Sequence, residues 1–188
     1  SAIYATGEIS KRSIEMEELE GEFYFSGKNL VQIEIGTLKY KTLMRGWLNH
    51  LYLSANSSFN SKTLIISRRT DHSKKINFEV SKEILQINTQ EAIETLREIH
   101  LLAAAGRKNC WPIPPESGLA YAFAINDKDK NERDLFQKRW EGDSYKQGER
   151  ETLTMELCFG KECKASTLLE VKSFNDLLMS LYEPLLKN

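Results

Sequence analysis

Residues 30–55, LVQIEIGTLKYKTLMRGWLNHLYLSA, change their periodicity midway, and that change decides the fold. Over Leu30–Ile35 apolar and polar side chains alternate, the spacing of a strand with one face in a core. Gly36 breaks the alternation. From Thr37 onward Leu43, Met44, Trp47, Leu48 and Leu51 recur at helical steps, which predicts a helix running to about Ala55. Upstream, Ile14–Phe25 (IEMEELEGEFYF) reads as a strand with an irregularity near Gly21. Ser26-Gly27-Lys28-Asn29 has turn composition, so the two strands read as a hairpin.

Downstream, Asn56–Ser61 is polar loop, and Thr63–Arg68 and Lys75–Val80 are strand candidates joined by a turn over 70–73. Asn88 or Thr89 caps a helix whose expected buried stripe is Ile93, Leu96, Ile99, His100 and Ala103, with Gly106 as its stop. Arg107–Gly118 (RKNCWPIPPESG) holds three of the four prolines and is expected to be irregular. Leu119–Ile125 fits a short apolar helix or strand. Lys130–Trp140 reads as a helix ending at Gly142, and Glu151–Phe159 fits strand and helix equally. Ser173 with Asp176 starts a last helix, Phe174–Leu186, that Pro184 bends or ends. The order ββαββα with a helical C-terminal half gives an α/β or α+β class.

The 188 residues carry 26 Lys plus Arg against 27 Asp plus Glu, a net charge of -1, which excludes a globally basic nucleic-acid binder. Apolar residues at 40% and charged residues at 28% fit a folded soluble protein rather than a disordered one. The longest apolar run, Leu119–Ile125, is far short of the ~20 residues of a membrane span. Cys110, Cys158 and Cys163 are an odd set, and no signal peptide is evident, so the expected compartment is a reducing cytoplasm. The Ser-Ala start reads as a cloning scar on an excised fragment, with 1–13 as a leader and 14–188 as one domain.

A hairpin followed by a helix suits a metal-dependent nuclease, whose PD-(D/E)xK pattern sets an Asp on one strand and an acid-x-Lys pair on the next, to hold Mg²⁺ and polarise water. The first strand offers Glu20 and Glu22 but no Asp. The second offers Glu34, with Gly36 where Lys belongs and Lys39 displaced beyond the strand. Solvated strand acids explain these residues as well as an active Mg²⁺ nuclease does. A zinc site is disfavoured because Cys158 and Cys163 have only Cys110 as a further ligand. Ser117-Gly118 has Pro115 where a nucleophile elbow needs Gly, and neither a P-loop nor a GxGxxG loop occurs. No catalytic residue, metal or cofactor is expected.

Basic residues beside aromatics are candidate DNA contacts: Lys39 and Arg45 near Trp47, Arg68 and Arg69 at a strand end, and Arg107 and Lys108 ahead of Trp111. Cations neutralise phosphates and aromatics stack unpaired bases. A solvated charged face over core tryptophans is the plainer alternative. Leu181, Tyr182 and Leu185 on the last helix are candidates for a partner interface, with packing against the chain's own core as the alternative.

Three segments in order resemble the C-terminal domain of the exodeoxyribonuclease V gamma subunit, the RecC family: Leu43–Ser57 (LMRGWLNHLYLSANS), Trp111–Ala122 (WPIPPESGLAYA) and Phe136–Gly148 (FQKRWEGDSYKQG). The tail Leu177–Asn188 (LLMSLYEPLLKN) resembles that family's leucine-proline ending. The resemblance implies a PD-(D/E)xK, restriction-endonuclease-like fold with a degenerate active site. It also implies a bacterial helicase–nuclease, RecBCD, with RecB-like beta and RecD-like alpha subunits and double- and single-stranded DNA as partners, in recombinational DNA repair. A noncatalytic scaffold and strand-handling domain is the expected role. An active Mg²⁺ nuclease and a pure protein-interaction module are the alternatives.

Overall fold

The computed structural model describes residues 9–16, 19–56, 59–68, 78–109, 113–125 and 129–187, with side chains from residue 23 onward, Asn109 and Lys172 excepted. Strands β1 (Ile9–Met16), β2 (Leu19–Ser26) and β3 (Asn29–Ile33) form an antiparallel meander. Helix α1 (Tyr40–Asn56) then returns the chain so that β4 (Thr63–Arg68) pairs parallel to β3, and β5 (Phe78–Ile84) pairs antiparallel to β4. The result is a mixed five-stranded sheet in the order β1-β2-β3-β4-β5. Helices α2 (Thr89–Asn109), α3 (Pro115–Ile125), α4 (Glu132–Glu141), α5 (Leu153–Phe159), α6 (Ala165–Leu169) and α7 (Lys172–Lys187) follow, with a 3₁₀ turn at Glu149–Glu151. The chain divides into a β-rich unit up to Arg97 and a helical unit over Glu98–Lys187.

A parallel neighbour cannot be reached by a tight turn, so the amphipathic helix between β3 and β4 is the crossover that this pairing requires. Leu43, Trp47 and Leu51, at most 1% exposed, and Ile65 of β4 at 0% give the helix and sheet their shared core. The approach is close at Gly46, where a Cβ would lie 3.0 Å from Ile65 Cδ1. The β2–β3 turn has Gly27 at φ 60, the left-handed conformation that a two-residue hairpin loop needs. Below it Phe23, Phe25, Leu30 and Leu53 form a second apolar cluster with Phe59 against it.

The segment read as one strand over Ile14–Phe25 is two. The chain reverses between Met16 and Leu19, which pair with each other, and β1 begins at Ile9, inside the expected leader. Alternation runs through the reversal, so periodicity alone gives no sign of it. The strand expected at Lys75–Val80 sits at Phe78–Ile84; its preceding turn, with Arg69 and His72, lies outside the described residues. Asn88 caps α2 as expected, accepting the Glu91 N–H at 2.9 Å. The buried face differs: Ala92 and Thr95 are buried, whereas Ile93, His100 and Ala103 are exposed. Gly106 is accommodated inside α2, at a cost near 1 kcal/mol against Ala, and the helix runs on to Asn109, just ahead of the prolines.

In the helical unit α4 shows each local rule at work. Asn131 caps it by accepting from the Arg133 and Asp134 N–H groups at 3.0 and 3.2 Å. Glu132 and Asp134 lie in its first turn and Lys138 and Arg139 in its last, matching the helix dipole. Its one apolar stripe, Phe136 and Trp140, is 0% exposed and meets Tyr121, Phe159 and Phe174 with ring centroids 5.4–6.1 Å apart. Pro184 lies inside α7, which continues to Lys187. Among the described residues no helix is long and apolar enough to cross a membrane.

Candidate functional site

At the end of β3 the sheet pairing outlasts the strand: the Glu34 N–H donates to Ile66 O at 2.8 Å, and the Arg68 N–H to Gly36 O at 2.8 Å. Glu34 is therefore held by backbone pairing to β4, just past the end of β3. Both carboxylate oxygens are engaged locally. The Thr42 hydroxyl donates to Oε2 and the Gly36 N–H to Oε1, at 3.3 Å for the latter. The Thr42 hydrogen bond, followed by that of Gly36, holds the carboxyl below its ordinary range, with Lys39 and Arg45 adding attraction. Glu34 ties the strand end to the first turn of α1. Glu20 and Glu22 lie on β2, opposite Glu15 and Ser13 of β1. Among the described residues no three His, Cys, Asp or Glu side chains are grouped to hold a metal ion.

The basic candidates divide. Lys39, Arg45 and Arg68 are exposed on the β-rich unit, and Lys39 O accepts the Thr42 and Leu43 N–H groups that open α1. Arg107 and Lys108 are exposed in the last turn of α2, where cations also suit the helix dipole. Arg69, Trp111 and Cys110 fall outside the described residues. Tyr182 and Leu185 are 0% exposed, and Leu181 is half-buried. An apolar contact patch on α7 is thus corrected to a core face: Tyr182 and Leu178 close on Gly118, where a Cβ would lie 2.7 Å from Leu178 Cδ2.

The Pro-Pro-Glu-Ser-Gly motif is joined to the residue that follows the Phe136–Gly148 motif by one side chain. In Pro-Pro-Glu-Ser-Gly, Pro115 is the first residue of α3, where a missing N–H costs nothing, so this part of the segment is helix rather than irregular loop. The free N–H groups of Glu116 and Ser117 donate to Glu149 Oε1 and Oε2 at 2.9 and 2.7 Å, and the Ser117 hydroxyl donates to Oε2 at 2.6 Å. A carboxylate from another segment thereby caps α3. Burial pushes the Glu149 carboxyl above its ordinary range and outweighs these three hydrogen bonds. Ser117 is spent on this clamp, 0% exposed.

Glu149 also anchors one end of the loop 142–148. The other end is fixed by Trp140 Nε1, which donates to Cys163 O at 2.8 Å, and by Glu141 Oε1, which accepts the Ala165 N–H at 3.0 Å. Within the loop Asp143 Oδ1 accepts the Tyr145 and Lys146 N–H groups at 2.8 and 3.0 Å, and the Asp143 N–H donates to Lys146 O at 2.9 Å. Gly142 bridges Gln147 in antiparallel fashion. At the tip Tyr145 is 100% exposed. Sequence reasoning passed over both Glu149 and Tyr145; the spaced glycines around an Asp-Ser turn were the one available signal.

A family model described as the RecC C-terminal domain matches residues 7–126. The chain belongs to that family. The match takes in the whole sheet, α1, α2 and the Pro-Glu-Ser-Gly helix of this RecC-family chain, while the loop 142–148 lies beyond it. Comparison of the chain with curated proteins finds no match. The RecC family belongs to the exodeoxyribonuclease V, or RecBCD, complex of DNA repair and recombination. For the remaining polar chemistry of this RecC-family chain, His50 is buried, with Nδ1 2.8 Å from Thr63 Oγ1 and a pKa pushed down to about 4 by desolvation. His100 is exposed rather than a core residue; Cys158 is exposed and Cys163 half-buried.

Proposed function

We propose that the chain is the noncatalytic, nuclease-like domain of a RecC-type subunit, scaffolding RecB-like and RecD-like helicase subunits and handling the separated DNA strands during recombinational repair of double-strand breaks. The observation that carries this reading is Glu34. A PD-(D/E)xK nuclease needs a Lys two residues on from that acid, to position and polarise the attacking water. Here Gly36 stands at the Lys position, and its N–H joins the Thr42 hydroxyl in occupying the carboxylate. The meander, crossover helix and parallel strand support the nuclease-like ancestry, because they set β2 and β3 side by side as the pattern requires. A fold that loses its metal cluster keeps its surface, which can then guide strands or dock partners. Arg107, Lys108, Arg68, Lys39 and Arg45, with Arg69 and Trp111, are the proposed DNA contacts; no residue is assigned to metal or cofactor.

Co-elution of the chain with the alpha or beta subunit of its own complex on a sizing column is the expected result. Elution alone, together with Mg²⁺-dependent DNA cleavage that disappears in Glu34→Ala, would replace this reading with that of an active nuclease.

A further inference from the structure

Tyr145 presents its whole ring to solvent at the end of a loop whose every turn is tied down. Exposed aromatic side chains are ordinarily half-covered by neighbours, because leaving the ring in water forfeits its burial. This loop does the reverse. Asp143 gathers the Tyr145 and Lys146 N–H groups, the Gly142–Gln147 bridge closes the base, and Trp140, Glu141 and Glu149 pin both stems to α6 and α3. A Cβ on Gly142 would lie 2.4 Å from Gly148 N, so the stems meet as closely as backbone allows. The backbone that carries the ring is held in place, so the loop itself has little left to order when a flat partner binds.

The surroundings say which partner. Asp143, Ser144, Lys146 and Gln147 are all exposed, and no large apolar side chain adjoins the ring in sequence. A protein hot spot would sit in an apolar patch depleted of charge. Lys146 adjoins Tyr145 in the chain, and Lys138 and Arg139 are exposed in the last turn of α4, just ahead of the loop. Asp143 itself is turned to the backbone by the Tyr145 and Lys146 N–H groups. An exposed aromatic with a lysine beside it in the chain and basic residues on the preceding turn is a combination that suits an unpaired base and its phosphates.

We infer that Tyr145 is a stacking site for an unpaired nucleobase, with Lys146 and Lys138 on the adjacent phosphates. The site rests on the reading of the chain as a strand-handling domain, and it names the form of DNA concerned, single-stranded. The test is fluorescence anisotropy of the chain with a labelled oligothymidylate and with an abasic strand of equal length. Tyr145→Ala is expected to weaken oligothymidylate binding about 5- to 150-fold, the range for one stacked base, and Tyr145→Phe to retain it. The abasic strand is expected to bind parent and Tyr145→Ala alike, and Lys146→Gln to flatten the salt dependence. The ring is 100% exposed, so the variant should melt with the parent. Failure of the parent to bind, oligothymidylate binding unaffected by Tyr145→Ala, or equal affinity for the abasic strand would overturn the site. None of these outcomes touches co-elution with the partner subunits. Loss of co-elution in Tyr145→Ala with oligothymidylate binding intact would make the ring a protein contact instead.

Discussion

Replacing Glu149 with Ala removes three hydrogen bonds at once. It leaves the Ser117 N–H and hydroxyl buried without an acceptor, while the half-buried Glu116 N–H can turn to water. A buried donor stranded in this way costs about 1–3 kcal/mol, and the lost cap on α3 is of the same order. Against this, the variant no longer buries a carboxylate, a relief whose sign is visible in the raised pKa. The net loss is about 2–4 kcal/mol, read from urea unfolding by circular dichroism. Amide exchange at Ser117 should accelerate in the same variant, since its N–H loses a 2.7 Å acceptor. Glu149→Gln, which keeps one acceptor oxygen, should lose roughly half as much. Ser117→Ala costs about 1 kcal/mol alone but should recover stability in the Glu149→Ala background, because it removes the stranded hydroxyl. A loss below about 0.5 kcal/mol, or additive single effects, would show that the carboxylate does not clamp the helix.

His50 and Glu149 should respond to acid with opposite sign. His50 is held neutral, so its contribution is whole above its unfolded pKa of 6.5 and drains away as pH falls toward about 4, in total about 3 kcal/mol. Unfolding of His50→Gln at stepped pH should lack that slope; a slope unchanged from the parent's would rule His50 out as its source. Glu149 has a raised pKa, so its contribution is greatest below its unfolded value and declines as pH rises through the folded one. Acid should therefore narrow the parent's deficit for burying this charge, measured against Glu149→Gln. Gly118→Ala gains helix propensity but drives a methyl toward Leu178 and Tyr182, both 0% exposed, for a net loss of about 1–2 kcal/mol by thermal melting. Arg107→Ala with Lys108→Ala should weaken DNA binding at low salt and reduce the slope of log affinity against log salt by about 1.5–2; an unchanged slope would remove both from the DNA surface.

What the sequence disclosed followed the range of each interaction. Thr63–Arg68 was legible because alternation is a property of neighbours, and α1 and α4 because their stripes repeat every turn. A strand was also legible at Leu30, but there Leu30 and Val31 are both buried, Ile33 and Ile35 are exposed, and the strand ends at Ile33. The β1–β2 reversal was hidden because a tight turn need not interrupt alternation. On α2 the fully buried positions are the small Ala92 and Thr95, whereas of the expected stripe Ile93, His100 and Ala103 are exposed and Leu96 and Ile99 half-buried, so ranking by hydrophobicity set the face off-centre. Glu34 was found as an acid, but its capture by Thr42, eight residues on, depends on how α1 enters. Glu149 could not be found at all: nothing local marks a glutamate that caps a helix beginning more than thirty residues earlier. The Pro-Glu-Ser-Gly run was recognised as distinctive without its reason, which is that Ser117 and Gly118 each have one tolerated side-chain size.

The order of strands in the sheet also bears on how the molecule is made. Every strand lies beside the one synthesised before it, and only the β3–β4 junction must wait for an intervening helix. Loop closure is brief at the three hairpin-like steps and longer at that single parallel one. A nascent chain can thus lay down β1, β2 and β3 in turn, pause with the inner edge of β3 open until Tyr40–Asn56 folds across, and then admit β4 and β5. During that pause the open side of β3 is an exposed edge, and the β1–β2 and β2–β3 pairings are the native features already able to hold their register.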